Sequence, residues 1–272
     1  MGSNNFSAVC FSHIGKRENQ EDNFLINDYI LNIQERDNLK LNKFCFIKKN
    51  IQSDLQIYAI CDGMGGYNAG ETASLLAVKV LLESKDILNS LDSLEDMISY
   101  IQKKIIEINT IVCGLGESNK DLKGMGSTLV MLLAYKDDYA IFNIGDSRAY
   151  TFNNEKLYQI TKDHTEGQRM IDLGLLSRKE VEHFPAKKNL NRYIGNCSPG
   201  YVLQADIYLG KLDNEIILLC SDGVSDFLSE KEIENVFNTN SNIENIGKEL
   251  ISQSINSQYA DNATLILIDL RR

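Results

Sequence analysis

Apolar residues in this chain follow two patterns, and each predicts a different element. Unbroken apolar runs bounded by turn residues, such as IYAIC (Ile57–Cys61) and IILLC (Ile216–Cys220), predict strands buried on both faces. Similar runs predict strands in FSAVCFSHIG near the start, at Asp22–Ile26, in STLVMLLAY, DYAIFNIG, SRAYTFNN, KLYQIT and YVLQADIYL, and in the closing NATLILIDL. The second pattern is helical. Leu94, Met97, Ile98, Ile101, Ile105, Ile108 and Val112 recur at three- and four-residue steps, so they share one face of a helix from about Ser93 to Val112. A ligand-binding role for that stripe is the weaker alternative to packing on a sheet. Another helix is expected over about Ala69–Leu82, with Asn68 as its N-cap, and two more over about 229–238 and 242–256.

Two stretches lack either pattern. Residues 27–54 mix polar and apolar positions, and the expectation is a hairpin with a variable loop near Glu35–Asn38. Residues 163–200 form a polar, partly helical excursion. Strands dominate in adjacent runs with short polar joins, which implies antiparallel pairing. Helices come in two pairs. The pattern therefore predicts an α+β fold: two antiparallel sheets face to face with helices outside, a four-layer α-β-β-α sandwich. The chain has 272 residues and only 2 Pro, with no repeat and no Pro-, Gly- or Ser-rich linker, so 1–272 is expected to be a single domain.

Charge and cysteine content narrow the function. A net charge of -10 argues against a nucleic-acid binder, which needs Lys and Arg for phosphate contacts. An acidic protein that handles phosphate needs positive charge from elsewhere, and a bound metal is one source; plain solubility is the simpler account of the charge alone. The 6 cysteines form no CxxC pair, so zinc is not expected, and those in apolar runs are expected to be free buried thiols. The N-terminal residues lack a signal-peptide pattern, and Phe6 stands where myristoylation wants Ser or Thr. No apolar run reaches the roughly 20 residues of a membrane span. A cytoplasmic setting is the expectation.

The chemistry lies in short acidic motifs at strand ends. RENQED holds Arg17, Glu21 and Asp22; CDGMGG holds Asp62 and Gly63; GDSR holds Asp146; SDGVSD holds Asp222 and Asp226; DNAT holds Asp261. Each Asp-Gly alone is an ordinary turn signal, since Gly tolerates positive φ. Asp62 and Asp222, however, directly follow buried runs or lie one residue beyond them, which sets carboxylates on rigid support at the rim of the core. Converging carboxylates repel. Divalent cations with oxygen ligands relieve that repulsion, and with only 3 His in the chain the donor set favours Mn or Mg over Zn.

These motifs, with GMGST (Gly124–Thr128) and GDSRAY, stand in the order and spacing of the type 2C metal-dependent protein phosphatases, and the chain resembles their bacterial form from about Phe6 to Leu270. The resemblance implies a pair of antiparallel sheets flanked by helix pairs, and hydrolysis of phosphoserine and phosphothreonine in proteins. It implies that Asp62 bridges two Mn2+ or Mg2+ ions, that Asp222 and Asp261 hold the first, and that Glu21 and the Gly63 carbonyl help hold the second. Asp22 supports the site through water on the metal. Asp146, with Asp222 or Asp226, holds a third ion. Arg17 clamps phosphate through its two-pronged guanidinium. Two ions roughly 3.5–4 Å apart activate a shared water that attacks phosphorus directly. Met64 replaces the His that many eukaryotic members carry, so it cannot donate a proton to the leaving group; a water on the metal is the candidate for that role.

Other residues carry weaker signals. His164 is expected to be structural. GMGST lacks the GK[ST] of a nucleotide loop and is expected to open a core strand. Redox regulation at Cys61 or Cys220 is the weaker alternative to inert buried thiols. Residues 163–200 match the bacterial flap; Arg169, Arg178, Lys179, Lys187, Lys188 and Arg192 either guide phosphopeptides or are merely solvated. The expected partners are phosphoproteins made by a cognate Ser/Thr kinase, met by a monomer. Two alternatives stand beside the enzyme: a pseudophosphatase that only binds, and a phosphatase dedicated to one regulatory phosphoprotein.

Overall fold

A computed structural model describes residues 5–42, 44–65 and 69–271; the expected cap Asn68 lies outside them. The chain begins β1 (Asn5–His13), β2 (Asn23–Ile26), β3 (Tyr29–Ile30), α1 (Ile33–Asn42), β4 (Phe44–Gln52), β5 (Leu55–Cys61) and β6 (Gly63–Met64). It continues α2 (Ala69–Glu83), α3 (Lys85–Leu88), α4 (Leu94–Ser118), β7 (Gly126–Ser127), β8 (Leu129–Tyr135), β9 (Asp138–Ile144), β10 (Arg148–Asn153) and β11 (Lys156–Gln159). Then come α5 (Glu166–Asp172), α6 (Arg178–Val181), β12 (Asp206–Lys211), β13 (Ile216–Cys220), α7 (Asp222–Ser225), α8 (Glu230–Thr239), α9 (Ile243–Ser254) and β14 (Ala263–Asp269).

The unbroken apolar runs have a direct explanation. In β5, Ile57, Ala59 and Cys61 face α2 and α4, while Tyr58 and Ile60 face the other sheet. In β14, Leu265 and Leu267 face α8 and α9, while Ile266 and Ile268 face inward. Successive side chains alternate faces, and both faces are covered, so neither can be polar. One sheet runs β11-β10-β13-β14-β1-β4, the other β12-β9-β8-β5-β2-β3, and all their pairings are antiparallel. With α2 and α4 on one outer face and α8 and α9 on the other, the layers are those the pattern predicts. The α4 stripe is confirmed: Met97, Ile101, Ile105, Ile108 and Val112 are buried, each side chain contributing about 1.5–3 kcal/mol.

The stretch 27–54 departs from expectation. In place of the loop near Glu35–Asn38 there is helix α1, and β4 pairs with β1, not β2. The chain therefore crosses from one sheet to the other here. The helix starts on a reciprocal cap: the Glu35 amide donates to Asn32 Oδ1 at 3.0 Å, and the Asn32 amide donates to Glu35 Oε2 at 3.2 Å. The cysteines also differ. Cys10, Cys61 and Cys220 are free and buried, but Cys113 and Cys197 form a disulfide. Their separation of 84 residues carries no motif signal.

Candidate active site

The acidic motifs meet at one end of the seam between the sheets. Asp62 leaves β5 of one sheet, and Asp222 follows β13 of the other. Glu21 and Asp22 lie on the link between β1 and β2, which joins the sheets, and Asp261 precedes β14.

The backbone around Asp62 is fastened at both ends. Its amide donates to Thr128 Oγ1 at 3.0 Å, and its carbonyl accepts from the Thr128 amide at 2.9 Å and Ser127 Oγ at 3.1 Å. Thr128 is held in turn by the Ser147 hydroxyl at 2.7 Å. GMGST is thus the strand that supports Asp62, as expected. Gly63 donates to the Glu21 carbonyl at 3.2 Å, and a Cβ on it would lie 2.2 Å from the Gly70 carbonyl oxygen. Gly223 is tighter still: a Cβ there would lie 1.9 Å from the Asn262 carbonyl oxygen. Neither glycine has positive φ. Both Asp-Gly pairs are therefore required by close backbone approach, not by the turn geometry that the dipeptide suggests.

Burial and mutual repulsion dominate the electrostatics. Asp62 is pushed well above the ordinary carboxylate range, first by desolvation and then by Asp222, Asp22 and Asp146. Asp222 is raised by desolvation and then by Asp226, while a hydrogen bond with Asp62 lowers it. Asp146 is pushed up to about 8 by burial and then Asp222, and Glu21 to about 7 by burial. Asp22 is fully buried and raised to about 7. Its Oδ2 accepts from Ser221 Oγ at 2.8 Å, and its Oδ1 is buried with no hydrogen-bond partner among the described residues.

Two basic side chains engage the rim. Arg17 meets Asp261 at 2.5 Å, and flap residue Lys188 bonds Asp226. Asp146, Asp222 and Asp226 line a cleft of about 870 Å³ whose other wall includes Arg178, Lys187 and Lys188. Much of the flap's positive charge is paired locally, Arg169 with Glu166, Lys187 with Glu182 and Arg192 with Asp206. His164 is structural: its Nδ1 accepts from the Gly145 amide at 3.1 Å beside Asp146, and its Nε2 lies 3.1 Å from Asp206.

Asn262 is the organising residue that the motif reading passed over. Its Oδ1 accepts from the Glu21 amide at 2.7 Å, and its Nδ2 donates to the Ile14 and Asn19 carbonyls. It ties the Glu21 loop to the start of β14. Its place in DNAT was the only available signal. Ser221 and Thr264 likewise form a buried relay with Asp22, the Thr264 amide donating to Ser221 Oγ at 3.0 Å.

Among the described residues, no group of three or more His, Cys, Asp or Glu is arranged to hold a metal ion as it stands. The chemistry of the donors nevertheless fits a hard divalent cation. They are all oxygens, burial and neighbouring carboxylates raise Asp62 and Asp146, and Asp22 keeps an unused buried lone pair. Arg17 and Lys188 each engage one carboxylate oxygen, Oδ2 of Asp261 and Oδ2 of Asp226.

Fold and site define a class: a four-layer α-β-β-α protein whose chemistry is concentrated in carboxylates at the seam of its sheets. The sequence model described as Protein phosphatase 2C matches residues 43–258, and the chain belongs to that family. It is 31% identical over 213 residues to the serine/threonine phosphatase stp of Listeria welshimeri, covering 78% of this chain and 84% of that one. The crystal structure of serine/threonine phosphatase Stp1 from Staphylococcus aureus superposes with a TM-score of 0.79 at 27% identity, covering 96% of this chain and 94% of that chain. The fold is shared too with the catalytic domain of the phosphatase PstP, whose structure is a complex with 2 manganese ions, at a TM-score of 0.72 and 24% identity, covering 97% of this chain and 98% of that one.

Proposed function

We propose that this chain is a metal-dependent protein serine/threonine phosphatase that hydrolyses phosphoserine and phosphothreonine by direct attack of water. The observation that carries this is the convergence of Asp22, Asp62, Asp146 and Asp222 from both sheets into one buried cluster whose members raise one another's pKa. Family membership supports it.

Asp62, Asp222, Asp261, Glu21 and the Gly63 carbonyl would hold a pair of Mn2+ or Mg2+ ions, and Asp146 with Asp222 or Asp226 a third. Bound, the cations activate water near neutral pH and offset charge on the phosphoryl group. The protein supplies the rest. Thr128 and Ser127 fix Asp62, Asn262 fixes Glu21, and Asp22, held by Ser221, orients water at the site. Arg17 turns from Asp261 to the phosphoryl oxygens. The cleft under the flap receives the phosphopeptide. The substrates are phosphoproteins made by a Ser/Thr kinase, and the enzyme acts as a cytoplasmic monomer. Among the described residues no helix is long and apolar enough to cross a membrane. A binding-only pseudophosphatase is disfavoured because Asp62, Asp222 and Asp261 are all present.

The test is hydrolysis of p-nitrophenyl phosphate and a phosphothreonine peptide with Mn, with Mg and with EDTA. Chelation is expected to abolish turnover. Asp62→Asn and Asp222→Asn are each expected to lower kcat by about 100-fold or more with an unchanged circular dichroism spectrum. Full activity in EDTA, or wild-type rates in either variant, would sink the proposal.

A further inference from the structure

The disulfide lies outside the acidic cluster, at a second cavity. Cys113 is on the last third of α4, and Cys197 is exposed near the C-terminal end of the flap, with Cα atoms 5.6 Å apart. A cavity of about 410 Å³ opens beside them, with Lys120, Lys123, Glu117 and Met125 also in its wall. In a net acidic chain, Lys120 and Lys123 set positive charge in the same cavity wall as the cysteine pair, which attracts anions.

The same place is the root of the flap. Ile194 exchanges both backbone hydrogen bonds with Ser127 at 2.9 Å. The Gly195 amide donates to Asn109 Oδ1 at 2.7 Å, and Asn109 Nδ2 donates to the Asn196 carbonyl at 3.3 Å. Asn109 and Cys113 are four residues apart on α4, so they share a face, and both hold the segment 195–197. Ser127 in turn pairs with Gly63 and bonds the Asp62 carbonyl.

We propose that Cys113 and Cys197 form a reversible thiol–disulfide site, oxidised by a small anionic disulfide of the glutathione class and reduced by the matching thiol, which clasps the flap root to α4. The exposed Cys197 thiolate attacks one sulfur of the small disulfide, forming a mixed disulfide and expelling one thiolate. The Cys113 thiolate then attacks the Cys197 sulfur, forming the internal bond and expelling the second thiolate. Two protein cysteines are oxidised and one small disulfide is reduced to two thiols. The two protons that the cysteines lose to solvent are balanced by those the released thiolates take up.

The experiment uses the full chain and needs no turnover, so it stands apart from the phosphatase proposal. The protein is equilibrated at graded ratios of reduced to oxidised glutathione, alkylated and mapped without reduction. A Cys113–Cys197 peptide pair is expected to appear in one transition, while Cys10, Cys61 and Cys220 stay reduced. Oxidation is expected to raise Tm by roughly 5–10 °C, because it closes a loop between residues 84 apart. Cys113→Ser abolishes that rise. Lys120→Gln/Lys123→Gln slows oxidation by glutathione disulfide several-fold but leaves the rate with neutral hydroxyethyl disulfide unchanged. The proposal is overturned by any of four results: no linkage in excess oxidised glutathione, a different pair, linkage that persists in excess reduced glutathione, or equal slowing with both oxidants.

Discussion

Arg17 keeps 60% of its side chain in solvent while its guanidinium rests on Asp261. An exposed ion pair of this kind contributes little to stability, of order 0–1 kcal/mol, so a phosphate can displace Asp261 at small cost. Arg17→Ala is therefore expected to leave the fold intact and raise KM for a phosphopeptide. Losing charge-assisted bonds worth about 1.5–3 kcal/mol corresponds to about 10- to 100-fold in kcat/KM. An unchanged KM in steady-state assays would show that Arg17 is not the clamp. Residue types were legible in the sequence, since carboxylates recur at strand ends and Arg17 stands in the same motif as Glu21 and Asp22. Their partners were not. Nothing local shows that Asp22 rests on Ser221 or that Glu21 hangs from Asn262, because those contacts span about 200 positions or more.

Elements explain why the glycines of both Asp-Gly pairs are fixed. α7 begins at Asp222 and presses Gly223 onto the Asn262 carbonyl, which brings the Asp222 and Asp261 backbones together. Gly223→Ala is expected to destabilise the protein by about 1–3 kcal/mol through overpacking against rigid backbone, and to lower activity by moving Asp222. A urea midpoint equal to wild type would refute the close approach. At this scale the sequence was legible where periodicity was strong. β5, β13, β14 and the α4 face all fall where the runs place them. α1 was hidden because its polar, irregular pattern lacks a clear apolar stripe, and only the Asn32–Glu35 cap marked its start. The crossing of β4 to the other sheet was invisible for another reason: pairing partners are set by the assembled sandwich, not by local pattern.

The whole molecule carries the cost of gathering carboxyls. Burial raises Asp146 from 3.8 to about 8, Asp22 from 3.8 to about 7 and Glu21 from 4.5 to about 7. Between about pH 4 and about pH 8 the folded protein therefore binds more protons than the unfolded chain, so stability falls as pH rises through the folded pKa values. Exposed carboxylates that are lowered, such as Glu166 and Glu232, oppose this only at acid pH and are screened. The chelated protein is expected to show a lower Tm at pH 8 than at pH 5.5, and Mn2+ to raise Tm more at pH 8, where fewer protons compete for the same oxygens. Melting curves with EDTA and with Mn at both values decide it. A chelated Tm that rises across this window would contradict the buried cluster.

The carboxylates come from strands that the ribosome delivers far apart in time. Asp62 emerges early and Asp222 late. Asp261 precedes β14, which must slot between β13 and β1 at the middle of its sheet. A nascent chain that has not yet received this last insertion has no complete acidic cluster. On the proposed function, it cannot remove phosphate from anything it meets during its own synthesis, so activity begins only when the sandwich closes.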